Sequence, residues 1–297
     1  MRRTALYLIL MIIIGGATPI AGRIAVREIP PFTAAWMRFG IAGSLLWLTM
    51  RARGQRLPFT RKDLPMLLGL ALLCVPVNQA GYLGGLKLSN ASHAALFYAL
   101  NPVIVFWLSL MLGRNSFQPV MLFAAMLAFL GATCVLWPNL SRSTPTGSTS
   151  TMLLGDLLLL SAAMSWSMYI VASKKALSVH GPLPTLTAVF LLGALLQTPL
   201  ALYSLGDLNW RGLTPRGVGG FAFITVVSSF LGYLMTYTVL AQRDATRVMI
   251  FVNAQFLMTV LFEWLLYHEP LTIPFMIGSA LIFTAISLDF VRFARRA

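Results

Sequence analysis

The sequence predicts an all-α polytopic membrane protein with ten transmembrane helices arranged as two inverted five-helix repeats. Of its 297 residues, 58% are hydrophobic and 10% are charged, which is too apolar for a soluble domain of this length. The apolar runs are about 20 residues long, the length that crosses a bilayer core as a helix. A Gly-Tyr-Leu motif followed by an Asn-bearing run also occurs twice. Tyr82 precedes Asn101 by 19 positions and Tyr233 precedes Asn253 by 20, which indicates one ancestral unit used twice.

The predicted helices follow one another with mostly short connections. Prolines mark several of their ends, because proline supplies no amide donor and disfavours helix in the residue before it. The N-terminal apolar run resembles a signal peptide, but it continues to Val26 without a clear cleavage site, so we expect a retained first helix. The predicted spans are Thr4 to Ala25, Phe32 to Met50, Leu64 to Leu86, Ala91 to Leu112, Pro119 to Trp137, Met152 to Leu177, Leu183 to Ser204, Val218 to Leu240, Val248 to Tyr267 and Leu271 to Val291.

One connection is long and polar, and it divides the chain. Residues 138–151 are rich in Ser, Thr, Pro and Gly, a composition typical of a flexible linker. We therefore expect a first five-helix repeat over residues 1–137 and a second over residues 152–297. Both repeats would belong to one integral membrane unit.

The positive charges predict the orientation of the chain. The formal net charge is +14, but Lys and Arg fall between the apolar runs and do not line one face of a domain, so we expect no nucleic-acid partner. With the N-terminus in the cytoplasm, 15 of the 22 Lys and Arg residues lie on the inner side, six lie on the outer side and Arg38 lies within a helix. This excess predicts cytoplasmic N- and C-termini in a bacterial inner membrane.

An odd number of helices in each half makes the two repeats inverted relative to one another. Inverted repeats are a recurrent basis of alternating access, because one sequence in two orientations can adopt two conformations that exchange the open side. The substrate site is then expected near mid-membrane, where the repeats meet.

Polar and aromatic side chains inside the predicted helices indicate where that site lies, because a polar group in hydrocarbon is costly unless it faces protein or a water-filled cavity. These groups are almost all uncharged, which suits a small molecule with an aromatic or apolar body and a few hydrogen-bonding groups. The alternative is that the rings are interfacial anchors and the amides join helices. The candidate substrate-binding residues are Asn78, Gln79, Tyr82, Tyr98, Asn101, Trp166, Tyr169, Ser229, Tyr233 and Asn253.

Three prolines lie inside predicted helices and are candidates for kinks or gates. Pro19, Pro76 and Pro102 each remove an intrahelical hydrogen bond, and the freed carbonyls can face substrate or serve a moving element. A kink that only improves packing is the alternative for each of them.

Ionisable residues within the predicted membrane region are few. Arg38 is the one clear charge in the middle of a helix, while His93 is expected near an outer helix end and Asp156 near an inner end. A proton-coupled carrier usually needs a carboxylate or histidine in its pathway. No such residue stands out, so the sequence does not support proton coupling.

Enzyme signatures are also missing from the sequence. It contains no His-Glu-x-x-His motif, no glycine-rich phosphate loop, no Gly-x-Ser-x-Gly elbow and no Cys/His cluster with metal spacing. We therefore expect neither catalysis nor a cofactor or bound metal.

Several motifs, taken in order, resemble the drug/metabolite transporter superfamily, in particular its EamA-type members with two five-helix repeats. They are Pro31-Phe32 and Arg38-Phe39, Asn101-Pro102, Gly155-Asp156 with Trp166, and His268-Glu269-Pro270-Leu271. Gly113-Arg114-Asn115 departs from the family, whose members usually carry a glycine-glutamate pair there. The aromatic central helices look most similar to the YddG-type aromatic amino-acid exporters. The resemblance implies a transporter whose partners are the lipid bilayer and a small-molecule substrate.

The resulting hypothesis is an inner-membrane carrier that exports aromatic or other neutral hydrophobic amino acids by alternating access. Aromatic rings would stack against the substrate body, while amides and a serine hydroxyl would bind its amino and carboxylate groups. The main alternative is export of another small metabolite or drug in the same fold, and a membrane-embedded enzyme or a non-transporting subunit is less favoured. A phosphorylated substrate would require clustered Lys or Arg, and only Arg38 is available. The sequence leaves the exact substrate, the energy source and the oligomeric state open.

Overall fold

A computed structural model of the chain describes residues 2–89, 91–114, 116–142, 149–267 and 272–294, and every regular element within these ranges is a helix. Eight helical stretches in the described residues are long and apolar enough to cross a membrane. The second and tenth predicted spans are not among these eight, although each forms a helix of 22 residues. The second span is not among them because Arg38 lowers the mean hydropathy of its helix. The count of ten membrane crossings therefore remains a prediction.

The first half of the chain contains seven α-helices and one π segment in its described residues. The first π segment, Leu73–Val77, lies between α3 and α4. The helices are α1 (Arg2–Ala25), α2 (Pro31–Ala52), α3 (Leu64–Leu72), α4 (Asn78–Leu88), α5 (Ala91–Ala99), α6 (Asn101–Met111) and α7 (Pro119–Arg142).

The second half repeats this order. The second π segment, Phe223–Gly232, lies between α10 and α11. The helices are α8 (Thr149–His180), α9 (Pro182–Leu205), α10 (Pro215–Ala222), α11 (Tyr233–Gln242), α12 (Ala245–Val252), α13 (Gln255–Tyr267) and α14 (Ile273–Ala294).

Some predicted features differ from the structure in their bounds or fall outside it. α7 continues through Arg142 and α8 begins at Thr149, so helix occupies both ends of the predicted linker. Residues 143–148 of that linker lie outside the described residues. The same holds for Asn115 and for the His268-Glu269-Pro270-Leu271 motif.

The helices of the two halves pack against one another in a regular order. α2 packs along α9, and α7 packs along α14. α8 packs on the π-containing span of the first half and on α5 and α6, while α1 packs on the π-containing span of the second half and on α12 and α13. Each half therefore packs its first helix against the other half.

Close approach of α7 and α14 requires glycine at one crossing. A Cβ at Gly131 would lie 2.8 Å from the carbonyl oxygen of Gly278, a distance that no side chain can relieve by changing rotamer. The largest buried apolar cluster lies elsewhere, where α2, α9, α8 and α11 meet, and includes Phe39, Phe190 and Tyr237. The aromatic candidates of the second half are thus packed in the main core.

One ion pair within the described residues corrects a predicted placement. His93 Nδ1 on α5 lies 2.9 Å from Asp156 Oδ1 on α8, and Ser89 Oγ donates to the same carboxylate oxygen over 2.5 Å. The expectation that His93 and Asp156 lie at opposite membrane sides was therefore wrong. The start of α8 lies at the same end of the bundle as the start of α5.

Connections at the two ends of α2 contact the second half. In the connection before α2, the Glu28 carboxylate accepts hydrogen bonds from the Thr214 amide (2.8 Å) and the Thr214 hydroxyl (2.6 Å). These bonds lower the pKa of the Glu28 carboxyl. The bonds are made in full at neutral pH and weaken as the pH falls through that lowered pKa. Past the last residue of α2, the Phe59 ring lies 4.6 Å from the His180 ring.

Candidate functional site

The breaks in the fourth and ninth spans meet in the interior of the protein. After α5 ends at Ala99, the Val103 amide donates to the Leu100 carbonyl over 2.9 Å and leaves the Ala99 carbonyl for another donor. Asn253 Nδ2, at the end of α12, donates to that carbonyl over 3.0 Å. Asn253 is 2% exposed, so this bond is shielded from water. The asparagine of one half thus satisfies a backbone acceptor that the break in the other half exposes.

A polar cluster joins the third and fourth spans. Asn78 Nδ2 lies 2.6 Å from the Tyr98 hydroxyl and 3.0 Å from the Ala162 carbonyl of α8. Gln79 Nε2 donates to Asn78 Oδ1 over 3.2 Å, and the Tyr82 ring meets the Tyr98 ring edge-on at 5.6 Å. Asn78 is buried, whereas Gln79, Tyr82 and Tyr98 keep some exposed surface. Four predicted site residues are therefore brought together here.

An aromatic cluster is centred on Tyr233. Its ring centroid lies 5.6 Å from that of Trp166 and 5.1 Å from that of Phe190. It also stacks on the Tyr237 ring, with a centroid distance of 5.9 Å and an interplanar angle of 8°. Tyr233 and Trp166 keep exposed surface, while Tyr237 is fully buried. We use the name aromatic cluster for Phe39, Trp166, Tyr169, Phe190, Tyr233 and Tyr237. Four spans contribute to it, so it lies where both halves of the chain meet.

Arg38 lies beside this cluster and is held by hydroxyl groups. Its Nε donates a short hydrogen bond to Ser229 Oγ, and its Nη2 donates to Ser228 Oγ over 3.4 Å. Thr18 Oγ1 of α1 lies 3.0 Å from Ser228 Oγ, which ties three spans together. The guanidinium also lies within electrostatic range of Tyr82 and Tyr233. Its guanidinium carbon lies 5.4 Å from the Phe39 ring, so it borders the aromatic cluster.

Two predicted site residues use their polar groups within the protein, and a third is packed in the core. Asn101 Oδ1 accepts a hydrogen bond from Ser167 Oγ over 2.9 Å, and the Asn253 amide is bound to the Ala99 carbonyl. Tyr169 is fully buried. These side chains hold helices together in the structure, and their substrate contacts remain predictions.

The prolines have three different surroundings. Pro19 lies inside α1 without interrupting the helix, Pro76 lies within the first π segment, and Pro102 occupies the first turn of α6. The first turn of a helix tolerates proline, because its amides have no intrahelical acceptor. Pro102 therefore lies at the start of α6, directly after the break in the fourth span, and a kinking or gating role remains a prediction for all three.

The sequence-based site set omits residues that the geometry places at its centre. Arg38, Ser228 and Thr18 form the hydrogen-bonded group, and Phe39 and Phe190 complete the aromatic cluster. A charge in the middle of an apolar helix was the signal that could have identified Arg38 as a site residue. Phe39 and Phe190 carry no such signal, because phenylalanine in a membrane helix is ordinary.

Two further observations bear on the chemistry of the site. Among the described residues, no three His, Cys, Asp or Glu side chains are grouped so as to hold a metal ion. Arg114, at the position where the sequence departs from the resembling family, donates from Nη1 to the Val171 carbonyl over 2.9 Å. It therefore joins the end of α6 to α8.

Comparison with known proteins identifies the family. The sequence profile of the EamA-like transporter family matches residues 2–137 and again residues 153–290. An uncharacterized transporter of Archaeoglobus fulgidus is 28% identical over 270 residues, which cover 90% of each chain. The uncharacterized transporter YyaM of Bacillus subtilis is 24% identical over 286 residues, covering 95% of this chain and 92% of YyaM.

A solved crystal structure has the same fold, with a TM-score of 0.81 over 99% of this chain and 98% of the other, at 18% identity. The profile matches account for nearly the whole chain, and the eight long apolar helices agree with a chain that crosses the membrane several times. The protein is a multi-pass membrane transporter and belongs to the EamA-like transporter family of the drug/metabolite transporter superfamily.

Proposed function

We propose that the protein exports aromatic or other neutral hydrophobic amino acids by alternating access, as the YddG-type exporters that its sequence resembles do. The observation that carries this proposal is the aromatic cluster, which four spans build around Tyr233 beside hydrogen-bonding groups. Rings offer a flat apolar surface to an aromatic or branched side chain, and the neighbouring amide and hydroxyl groups can bind the polar end of an amino acid. Trp166 and Tyr82 are the proposed contacts from opposite halves of the chain.

The packing order supports two inverted five-helix repeats. If α1 corresponds to α8, then the contact of α8 with the first π-containing span corresponds to that of α1 with the second. The same correspondence exchanges α2 with α9 and α7 with α14. Each of these two packed pairs then lies across a two-fold axis that relates the repeats. The Glu28–Thr214 and Phe59–His180 contacts fit the same relation, because they join corresponding connections at opposite ends of α2.

The charge distribution supports cytoplasmic N- and C-termini. With both termini in the cytoplasm of a bacterial cell, most Lys and Arg residues lie on the inner side of the inner membrane. The half-helices α5 and α12 then enter from opposite sides and meet at the Asn253–Ala99 hydrogen bond. In alternating access, rocking of one repeat against the other opens first one side of this central region and then the other.

A transport assay with purified protein in liposomes tests the proposal. Liposomes are loaded with labelled phenylalanine, tryptophan or leucine, and efflux is compared for the unmodified protein and the Trp166→Ala and Tyr82→Ala variants. We expect each variant to lower efflux about tenfold, because it removes one ring from the substrate surface. Trp137→Ala and Tyr203→Ala are matched controls, since these rings are 57% and 85% exposed and should not affect efflux.

Unchanged efflux in both site variants would show that the proposed site is wrong. Efflux of a cationic drug or an unrelated metabolite in place of the amino acids would favour the alternative substrate in the same fold. Omission of a proton gradient in a parallel series separates proton-coupled export from facilitated diffusion, because only the former changes with the gradient.

A further inference from the structure

Arg38 is a charged group in the middle of an apolar helix, and its protein partners are neutral. Its two hydrogen bonds go to the hydroxyls of Ser229 and Ser228. Within the described part of the chain, no carboxylate lies within salt-bridge distance of it. The Phe39 ring, 5.4 Å from the guanidinium carbon, adds a cation–π contact but no negative charge.

An arginine inside a membrane helix without a counterion is energetically unfavourable, and the usual solution is a carboxylate or phosphate partner. A guanidinium carries five N–H donors in a planar fork, and the described residues engage two of them. The remaining donors match the two oxygens of a carboxylate in the bidentate geometry that arginine prefers. The serine hydroxyls hold the fork in place, so little side-chain freedom is lost when such a group binds.

The amides predicted to bind a carboxylate are engaged elsewhere. Asn253 donates to the Ala99 carbonyl, and Asn78 donates to the Tyr98 hydroxyl and the Ala162 carbonyl. Asn101 Oδ1 accepts from Ser167, and the residue is only 7% exposed. Arg38 keeps partial exposure and free donors, so it is better placed than these amides to receive an anionic group.

We infer that Arg38 is the carboxylate-binding residue of the transporter, and that the substrate must carry a carboxylate beside its apolar body. This inference rests on the proposed site, because the Arg38 guanidinium carbon lies 5.4 Å from the Phe39 ring, whose centroid is 6.3 Å from that of Tyr233. A carboxylate on Arg38 places the attached side chain against the aromatic cluster. Amines without a carboxylate meet an uncompensated positive charge in the same position and are excluded.

Binding to the purified, detergent-solubilised protein tests this assignment with three ligands of similar shape. Phenylalanine carries an amine and a carboxylate, 3-phenylpropanoate carries only the carboxylate, and phenethylamine carries only the amine. We expect the unmodified protein to bind the first two and to bind phenethylamine at least tenfold more weakly. Equal affinity for phenethylamine and phenylalanine overturns the inference without the use of any variant.

Arg38→Gln and Arg38→Lys then examine the residue itself. We expect Arg38→Gln to weaken phenylalanine binding about 30-fold or more, because a desolvated charge pair is lost. The affinity of Arg38→Lys for phenylalanine should lie between that of the unmodified protein and that of Arg38→Gln. An ammonium group keeps the positive charge but lacks the planar fork of donors. Arg51→Gln is the matched control, because this arginine lies in the last turn of α2 against Trp47 and should leave affinity unchanged.

Other outcomes separate this inference from the proposed export of aromatic amino acids. If lactate or succinate binds in an Arg38-dependent way and phenylalanine does not bind, the carboxylate site is supported. The same result contradicts the proposal that the substrate is an aromatic amino acid. Phenylalanine binding that a folded Arg38→Gln protein retains within threefold overturns the carboxylate site and leaves the aromatic substrate intact. If Arg38→Gln does not fold, as judged by size-exclusion chromatography, the ligand comparison on the unmodified protein and Arg38→Lys decide the question. Failure of every carboxylate to bind the unmodified protein also overturns it.

Discussion

Two helical hairpins, residues 64–111 and residues 215–267, follow the same plan with different sequences. Each begins as an α-helix, passes through a π segment, resumes as α-helix and returns as a span that is broken next to an asparagine. In the first hairpin Pro76 lies in the π segment and Pro102 follows the break, whereas the second hairpin contains no proline at either place. Irregular backbone within these apolar helices therefore does not depend on proline in this protein.

The two π segments also differ in how their polar groups are satisfied. In the first, the Leu73 carbonyl accepts a hydrogen bond over 2.8 Å from Ser165 of α8, which lies outside the hairpin. In the second, Ser228 and Ser229 belong to the segment itself and accept hydrogen bonds from Arg38 of α2. The first segment is thus supported by a neighbouring helix, while the second presents its own hydroxyls to the proposed substrate site.

The largest expected difference between the hairpins concerns the glycines of the repeated Gly-Tyr-Leu motif. A Cβ at Gly81 would lie 2.9 Å from the Leu158 carbonyl oxygen, whereas one at Gly232 would lie 3.2 Å from Ile14 Cγ2. Backbone cannot move aside as a side chain can, so Gly81→Ala should lower the free energy of unfolding by about 1–3 kcal/mol. Gly232→Ala should lower it by less than about 1 kcal/mol. Unfolding by SDS from mixed micelles measures both.

Gly84→Ala provides the control for that measurement. Gly84 faces the same helix as Gly81, but a Cβ there would lie 3.4 Å from Leu158 Cδ1, which is ordinary contact. Its stability should match that of the unmodified protein. Equal losses for Gly81→Ala and Gly232→Ala would mean that the two motifs pack equivalently and that the comparison between the hairpins fails at this point.

An intermediate effect is expected at the two asparagines beside the breaks. Asn253→Ala leaves the Ala99 carbonyl without its side-chain donor, and such bonds in membrane proteins contribute about 0.6–1.7 kcal/mol. Asn101→Ala should be milder, because its partner Ser167 has a hydroxyl that can turn to a helix carbonyl instead. SDS unfolding of the two variants checks the order. A greater loss for Asn101→Ala would show that the bond across the breaks contributes little.

Much of the fold followed from the sequence because it depends on composition and periodicity. Helical spans, their order and their approximate bounds come from runs of about 20 apolar residues between prolines and polar turns. The backbone irregularities of the second half did not follow, since no proline marks the break at Asn253 or the second π segment. The side on which Asp156 lies was also missed, and its contact with His93 corrected it.

The candidate site was only partly predictable for a similar reason. Polar residues at helical spacing gave Asn78, Tyr82 and Tyr233, because local patterns reveal which residues share a helix face. Which of them retain free hydrogen-bonding groups depends on partners far away in the chain. Asn253 and Asn101 looked like ligand groups in the sequence and are engaged inside the protein, whereas Arg38 was left out of the set although its charge lacks a carboxylate partner in the described structure.

The smallest expected effect tests whether Pro102 causes the break in the fourth span that precedes it. The ninth span breaks without proline, so the fourth should remain broken in Pro102→Ala, with a loss of about 0.5 kcal/mol that arises mainly from the more flexible unfolded chain. Hydrogen exchange in nanodiscs measures this directly. The amide of Val103 should keep its protection, since it donates to Leu100 in the broken form, and the Asn253–Ala99 bond should persist. Protection that becomes uniform from residue 97 to residue 106 would indicate a continuous helix and make proline the cause of the break.

Ala254→Pro is the reciprocal variant, and it should be the more harmful of the two. The Ala254 amide donates to the Phe251 carbonyl over 3.0 Å, and proline has no amide hydrogen to replace it.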